Sequence, residues 1–208
     1  MQKKKKINFE IIEHNKILTV IFFNNRCDMA EDMVNLFYHT YFKNFLNKIG
    51  YEPDETRKEE LYFIFHELIL NAILAKLDFD YRTDKNIYNL LDETYFLKHK
   101  HSIVHPHIED CSKTMIELYY NKNRINVMIS NEGLPHGESQ KRIEQRLTDQ
   151  FSPELLLEES VSMTGEGNVG LQMVFKNLMR YGSKLEFHID KILGQTTFHF
   201  HLPVDEQE

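Results

Sequence analysis

Two short runs, 114–120 and 124–130, are separated only by Asn121-Lys122-Asn123, and no other feature restricts the fold as tightly. Both runs are apolar and β-branched, and the triplet between them has turn chemistry, so they predict a β-hairpin. A second hairpin is expected from 184–189 and 197–202 around Gly194. Residues 7–23 are rich in Ile, Val and Phe but broken by Glu13-His14-Asn15-Lys16, which reads as one or two strands. Asp28 is a candidate N-cap for a helix reaching about Ile49, ended by Gly50 and Pro53. Asp54 starts another helix, whose apolar positions Leu61, Ile64, Phe65, Leu68, Ala72 and Leu77 follow a 3.6-residue period. A third, amphipathic helix is expected over 170–181, stopped by Gly182. Strands outnumber crossovers in this order. The expectation is an α/β two-layer sandwich: a mixed, mainly antiparallel sheet with helices on one face.

Composition narrows the class. A chain of 208 residues fits one domain, 1–208. Its 15 Phe and 10 Tyr, against 8 Gly and 5 Pro, exclude a disordered or collagen-like chain. The 25 Lys and Arg are outweighed by 32 Asp and Glu, for a net charge of −7, which argues against a nucleic-acid partner. Cys27 and Cys111 cannot build a disulfide framework and fit a reducing compartment. No apolar run approaches the ~20 residues of a membrane span. Lys3 to Lys6 lead into Ile7-Asn8-Phe9-Glu10, too polar for a signal-peptide core, so a cytoplasmic protein with no membrane insertion is expected.

Some segments read plainly as surface or core. Residues 78–112, rich in Asp, Lys, His and Tyr, look like an insertion with one short helix near 87–97, and 134–164 like a long polar, mobile excursion. His99, His101, His105 and His107, with Glu109, Asp110 and Cys111, carry His-x-His pairs suited to zinc or nickel, although a solvated loop is the plainer reading. Phe37, Tyr38, Tyr41, Phe42 and Phe45 have helical spacing and suit a core or a homodimer interface.

Two features stand out as chemistry. Glu67 and Asn71 lie four apart, on one face of the second helix, within the apolar stretch Leu68-Ile69-Leu70 and Ala72-Ile73-Leu74. A buried polar pair needs partners or a ligand. Further on, Gly165-Glu166-Gly167-Asn168-Val169-Gly170 fits G-x-G-x-x-G, with Asp190 downstream. A dinucleotide fold would need a buried strand before the motif, and 155–163 is Glu-rich instead. Glycines leading into a helix N-terminus still let backbone N–H groups approach a phosphate.

Read together with Ser130-Asn131-Glu132-Gly133 and Gly194-Gln195-Thr196-Thr197-Phe198-His199-Phe200-His201-Leu202-Pro203, these boxes stand in the order of a known family. The chain resembles the ATP-binding domain of the GHKL superfamily, shared by gyrase, histidine kinases, MutL, anti-sigma-factor serine kinases and an Hsp chaperone. The resemblance covers about 54–203, with 7–50 as an N-terminal strand and helix and about 134–164 as the ATP lid; the layout is most similar to the anti-sigma-factor kinases. It implies the Bergerat ATP-binding fold, with ATP and Mg²⁺ as cofactors. By the same resemblance, Asn71 would hold Mg²⁺ through the nucleotide and Glu67 would act as the base on the attacking hydroxyl or water. Asn131 and Thr196 would meet the adenine and Gly133 would keep the backbone close to it. Gly165, Gly167 and Gly170 would cradle the phosphates, with Leu171 opening the helix. The sequence departs from the family at Asn131, where an Asp is usual, at Pro135 and Gln195, where glycines are usual, and in one extra residue in the glycine cluster.

The implied function is a signalling kinase that passes the ATP γ-phosphoryl group to a protein partner: an antagonist, a sigma-like factor or a response-regulator-like substrate. The alternatives are a catalytically inactive nucleotide-gated binding module and a stand-alone histidine kinase catalytic domain whose acceptor His lies on another chain. The chain is expected to take its signal and substrate from other proteins. With net charge −7, the phosphates are expected to be met by backbone N–H groups and Mg²⁺ rather than a basic patch.

Overall fold

The computed structural model describes residues 7–23, 30–83, 113–134 and 169–204, together with positions 140, 141, 144 and 148. Three hairpins supply the sheet. Strands β1 (Asn8–His14) and β2 (Ile17–Phe23) turn at Asn15, which adopts a positive φ of 53°. Strands β3 (Lys113–Asn121) and β4 (Arg124–Glu132) turn through Lys122 and Asn123, both left-handed at φ 46° and 63°. Positive φ at both central residues is the conformation of a two-residue turn that matches strand twist, so the Asn121–Arg124 closure fixes the register of the whole pair. Strands β5 (Glu186–Asp190) and β6 (Gln195–Pro203) form the third hairpin, where the Asp190 carboxylate accepts from the N–H groups of Ile192 and Leu193.

The six strands lie in the order β1-β2-β3-β4-β6-β5, and every neighbouring pair is antiparallel. The parallel component expected from the sequence is therefore absent from the described sheet. The reason lies in the last hairpin. β4 and β5 run in the same direction on either side of α4 (Val169–Arg180), but β6 folds back and inserts between them, so each meets only an antiparallel neighbour.

The helical layer begins with one continuous rod: α1 (Ala30–Leu36), a π-helical stretch (Phe37–Phe42) and α2 (Lys43–Ile49). Gly50 ends it in the left-handed conformation at φ 72°, as its sequence position predicted. Asp28 lies outside the described residues. The π-helical stretch has a packing consequence. In an α-helix, residues five apart point about 140° away from each other. The wider i→i+5 winding turns Phe37 and Phe42 toward one side, where their rings stack 6.0 Å apart and both meet Phe65, at 5.0 and 4.7 Å. Phe37, Tyr38, Phe42 and Phe45 of the aromatic run are buried in the core, and Tyr41 packs partly buried against it.

Helix α3 (Glu55–Thr83) starts where Asp54 caps it, the carboxylate accepting from the Arg57 N–H at 2.8 Å. It runs on to Thr83, past the point at residue 78 where an insertion was expected to begin; the remainder of that insertion lies outside the described residues. Of the periodic face, Leu61, Ile64, Phe65, Leu68 and Ala72 are buried, and Ile69 with them; the side chain of Leu77 lies outside the described residues. Helix α3 packs on α1, α4, β3 and β4. On the sheet, Leu18, Val20, Phe22, Ile116, Leu118, Ile125, Val127, Ile129, Phe198, Phe200 and Leu202 alternate inward beneath it. The fold is a two-layer α/β sandwich with its core between the layers. Of the 134–164 excursion, residues 140, 141, 144 and 148 are helical, and the Thr148 hydroxyl donates to the Glu144 carbonyl one turn back. No helix among the described residues is long and apolar enough to cross a membrane.

Phe65 is fully buried and its ring also reaches Phe200 on the sheet, with centroids 6.1 Å apart. Phe65→Ala is expected to lower the unfolding free energy by about 3–5 kcal/mol, read from the urea midpoint at unchanged slope.

Candidate functional site

The end of β4 carries a transverse row of buried polar side chains. Asn131 pairs with Thr114 on β3 and with Thr196 on β6, and all three are almost fully buried on the helix-facing side. Strand ends normally place such groups in water, so each must find a partner. The Thr196 hydroxyl donates to the Gly133 carbonyl at 2.8 Å, and the Gly133 N–H donates to the Gly194 carbonyl at 2.7 Å. Gly133 has φ 122°, a conformation that side chains resist, so glycine is required where β4 leaves the sheet. The Asn131 amide nitrogen donates to the Glu132 carbonyl at 3.3 Å. Its Oδ1 is buried and accepts no hydrogen bond among the described residues. A buried acceptor left unmade costs about 1–3 kcal/mol, so this oxygen is the site's most pointed demand for a donor.

The second part of the site is made by two helices. Glu67 and Asn71 face the same way on α3, and the Asn71 amide nitrogen donates back to the Glu67 carbonyl at 2.7 Å. That bond engages the nitrogen of Asn71, not the oxygen a cation would use. The Glu67 carboxylate lies 3.4 Å from His66 Nδ1 on one side and against Gly170 on the other. A Cβ at residue 170 would come within 1.9 Å of Glu67 Oε2. A side chain there would push the flexible Glu67 carboxylate aside, so glycine leaves room for it at the first turn of α4, and the N-terminal end of a helix favours a negative charge. At the other end of α4, Arg180 Nη1 donates to Glu60 Oε1 at 2.6 Å and the Tyr181 hydroxyl donates to the same carboxylate. Burial, then the Glu60 bond, pushes the Tyr181 phenol up. Glu60 and Glu67 lie two turns apart on α3, so α4 is held antiparallel to α3 at both of its ends. Arg57 closes the same corner, its guanidinium 4.5 Å from the Tyr181 ring centroid and its Nη2 on the Pro203 carbonyl.

The structure thus joins Glu67, Asn71 and Gly170 in one cluster and Asn131, Gly133 and Thr196 in another, with α3 packed over β4. Leu171 is buried with Val174, Phe175 and Leu178 and anchors α4 in the core. Gly165 and Gly167 lie outside the described residues, as do the His-rich run 99–107 and both cysteines. Half-buried His66 rests near Tyr62 with ring centroids 6.2 Å apart, beside the cluster. The sequence reading missed Thr114: the expected turn of three residues would set it opposite Ser130, whereas the observed turn of two, Lys122-Asn123, sets it opposite Asn131. It also missed a group on the other face of the sheet, Glu186, His188 and His199. No family model matches the chain, and no curated protein matches it significantly.

Gly170→Ala removes a helical glycine, a change worth up to about 1 kcal/mol in stability, but forces the Glu67 carboxylate aside. The substitution is expected to stabilise a Glu67→Ala background more than the wild type, with a coupling of at least about 0.5 kcal/mol in a double-mutant cycle of thermal unfolding.

Proposed function

We propose that this protein binds ATP with Mg²⁺ and transfers the γ-phosphoryl group to a hydroxyl on a partner protein, as do the anti-sigma-factor kinases it resembles. The observation that carries the reading is the buried Oδ1 of Asn131 at the end of β4, which has no hydrogen-bond partner among the described residues. The family-related acceptor is an Asp; here an amide oxygen can accept the same N–H of adenine, without the help of a charge. Gly133 beside it presents no side chain toward the base, and its carbonyl is fixed by Thr196.

The remaining residues fit the phosphate end. Gly170, in the first turn of α4, can offer backbone N–H groups and the positive helix end to an anion. Gly165 and Gly167 would extend this cradle. Asn71 has an amide oxygen for Mg²⁺, which takes one or two protein oxygens alongside phosphate and water. When bound, ATP supplies the transferable phosphoryl group and the ADP leaving group. The chain's own part is positional. Glu67, held between His66 and Gly170, accepts the proton of the attacking hydroxyl, and the two helices hold it at the phosphate end.

Titration with Mg²⁺·ATP by calorimetry is expected to show binding, and no heat at about millimolar nucleotide, a free energy near 4 kcal/mol, overturns the reading. Asn131→Ala and Asn71→Ala are each expected to weaken binding about 5- to 100-fold. Glu67→Gln separates a kinase from a nucleotide-gated binding module: the variant is expected to bind ATP while transfer of labelled phosphate to the partner falls by at least about 100-fold. Acid- and alkali-stability of the labelled product distinguishes a Ser or Thr acceptor from a His.

A further inference from the structure

The face of the sheet away from the helices carries its own chemistry. Along β6, Phe198, Phe200 and Leu202 enter the core, which turns His199 and His201 to the opposite side. Along β5, Phe187 packs on Phe198 with ring centroids 5.2 Å apart, which turns Glu186 and His188 to that same side. Glu186 and His199 are direct cross-strand partners. A Glu-x-His stripe and a His-x-His stripe therefore face each other across one hairpin.

Their ligand atoms converge. Oε2 of Glu186 lies 3.2 Å from His199 Nδ1 and 3.7 Å from His188 Nε2, and one ligand atom from each of the three residues falls within 4.8 Å of the other two. The other oxygen, Oε1, is held by Lys184 Nζ at 2.8 Å. We propose that Glu186, His188 and His199 form a binding site for a divalent transition-metal ion of the zinc class, on the face of the sheet opposite the described helices.

The chemistry of the donors selects the ion. Two imidazole nitrogens and one carboxylate suit zinc, nickel, copper or iron, whereas Mg²⁺ and Ca²⁺ take oxygen ligands. Bonds of about 2.0–2.2 Å around a tetrahedral ion put neighbouring ligand atoms about 3.3–3.5 Å apart, so the two contacts to Oε2 already have nearly the separation required. Lys184 leaves Oε2 to the ion and orients the carboxylate through Oε1, as an outer partner does in a metal site. The Lys184 bond, and after it the His199 bond, holds the Glu186 carboxyl down at about 2, so the group is ionised without any ion. The three ligands sit on paired strands rather than loops, which fixes their spacing. His188 is 64 % exposed, so solvent completes the coordination. The ion would staple β5, which among the described strands is at the edge and pairs with β6 alone, onto the sheet. The site lies on the opposite face from Asn131 and does not depend on the nucleotide reading.

The test is a Zn²⁺ titration of the full chain after treatment with a chelator, by calorimetry and, with Co²⁺, by visible absorption. Wild type is expected to bind zinc and to melt at higher temperature with it. Losing an outer-shell partner weakens metal sites about 10–100-fold, so His188→Ala, an exposed substitution that leaves the core untouched, is expected to weaken this site by at least that much. His188→Ala/His199→Ala is expected to lose one equivalent, and replacing His99, His101, His105 and His107 by Ala is expected to keep it. Circular dichroism checks that each variant is folded. The proposal is overturned if wild type takes up no zinc at about 100 µM, a concentration that fills even a weak site. It is equally overturned if the folded double variant retains the wild-type stoichiometry and affinity, because the ion then binds elsewhere.

Discussion

Phe65 lies where the two layers meet, its ring touching Phe37 and Phe42 on the first helical rod and Phe200 on β6. Everything placed around the candidate site depends on α3 being seated there. Because Leu61, Ile64, Phe65, Leu68 and Ala72 are committed to the core, the rotation of α3 about its axis is fixed, and with it the directions of Glu60, Glu67 and Asn71. The π-helical stretch before α2 serves the same contact by letting two Phe side chains five residues apart reach one ring. Hydrophobic burial is non-directional, so the interdigitation of these rings supplies the precision that a stripe of apolar residues alone does not.

Two carboxylates on α3 turn that seating into an alignment of the neighbouring helix. Glu60 binds Arg180 and Tyr181 at the end of α4, and Glu67 rests against Gly170 at its start. The absence of a side chain at residue 170 allows the close approach, and the helix end offsets part of the cost of holding a carboxylate there. A charge placed at the start of a helix is also a charge placed where an anionic ligand would come, which is why Glu67 and the proposed phosphate end coincide.

Much of the architecture is legible in the order of residues alone. The turn within Asn121-Lys122-Asn123, the cap at Asp54 and the glycine stops at Gly50 and Gly182 are local chemistry, and each element they bound is present, with Asn121 itself joining β3. The pairing of polar residues is legible only in part. Asn131 can be singled out by its neighbours in sequence, but that its oxygen finds no donor among the described residues depends on Thr114 and Thr196 arriving from two other strands. The mixed sheet expected from the element order failed because order alone does not say which side of β4 the last hairpin occupies; β6 inserts between β4 and β5 and makes every pairing antiparallel.

By itself the sequence determined the hairpins at 114–130 and 184–202, the helix boundaries set by caps and glycines, the buried stripe of α3 and the i, i+4 pairing of Glu67 with Asn71. All of these follow from the backbone's own period and from side chains a few residues apart. The tertiary structure alone decided the antiparallel order, the closeness of Gly170 to Glu67, the orphaned oxygen of Asn131 and the convergence of Glu186, His188 and His199. The physical reason is range. Turn geometry and hydrophobic periodicity act over a handful of residues, whereas these four depend on which segment packs against which, and that is settled only when the whole core closes.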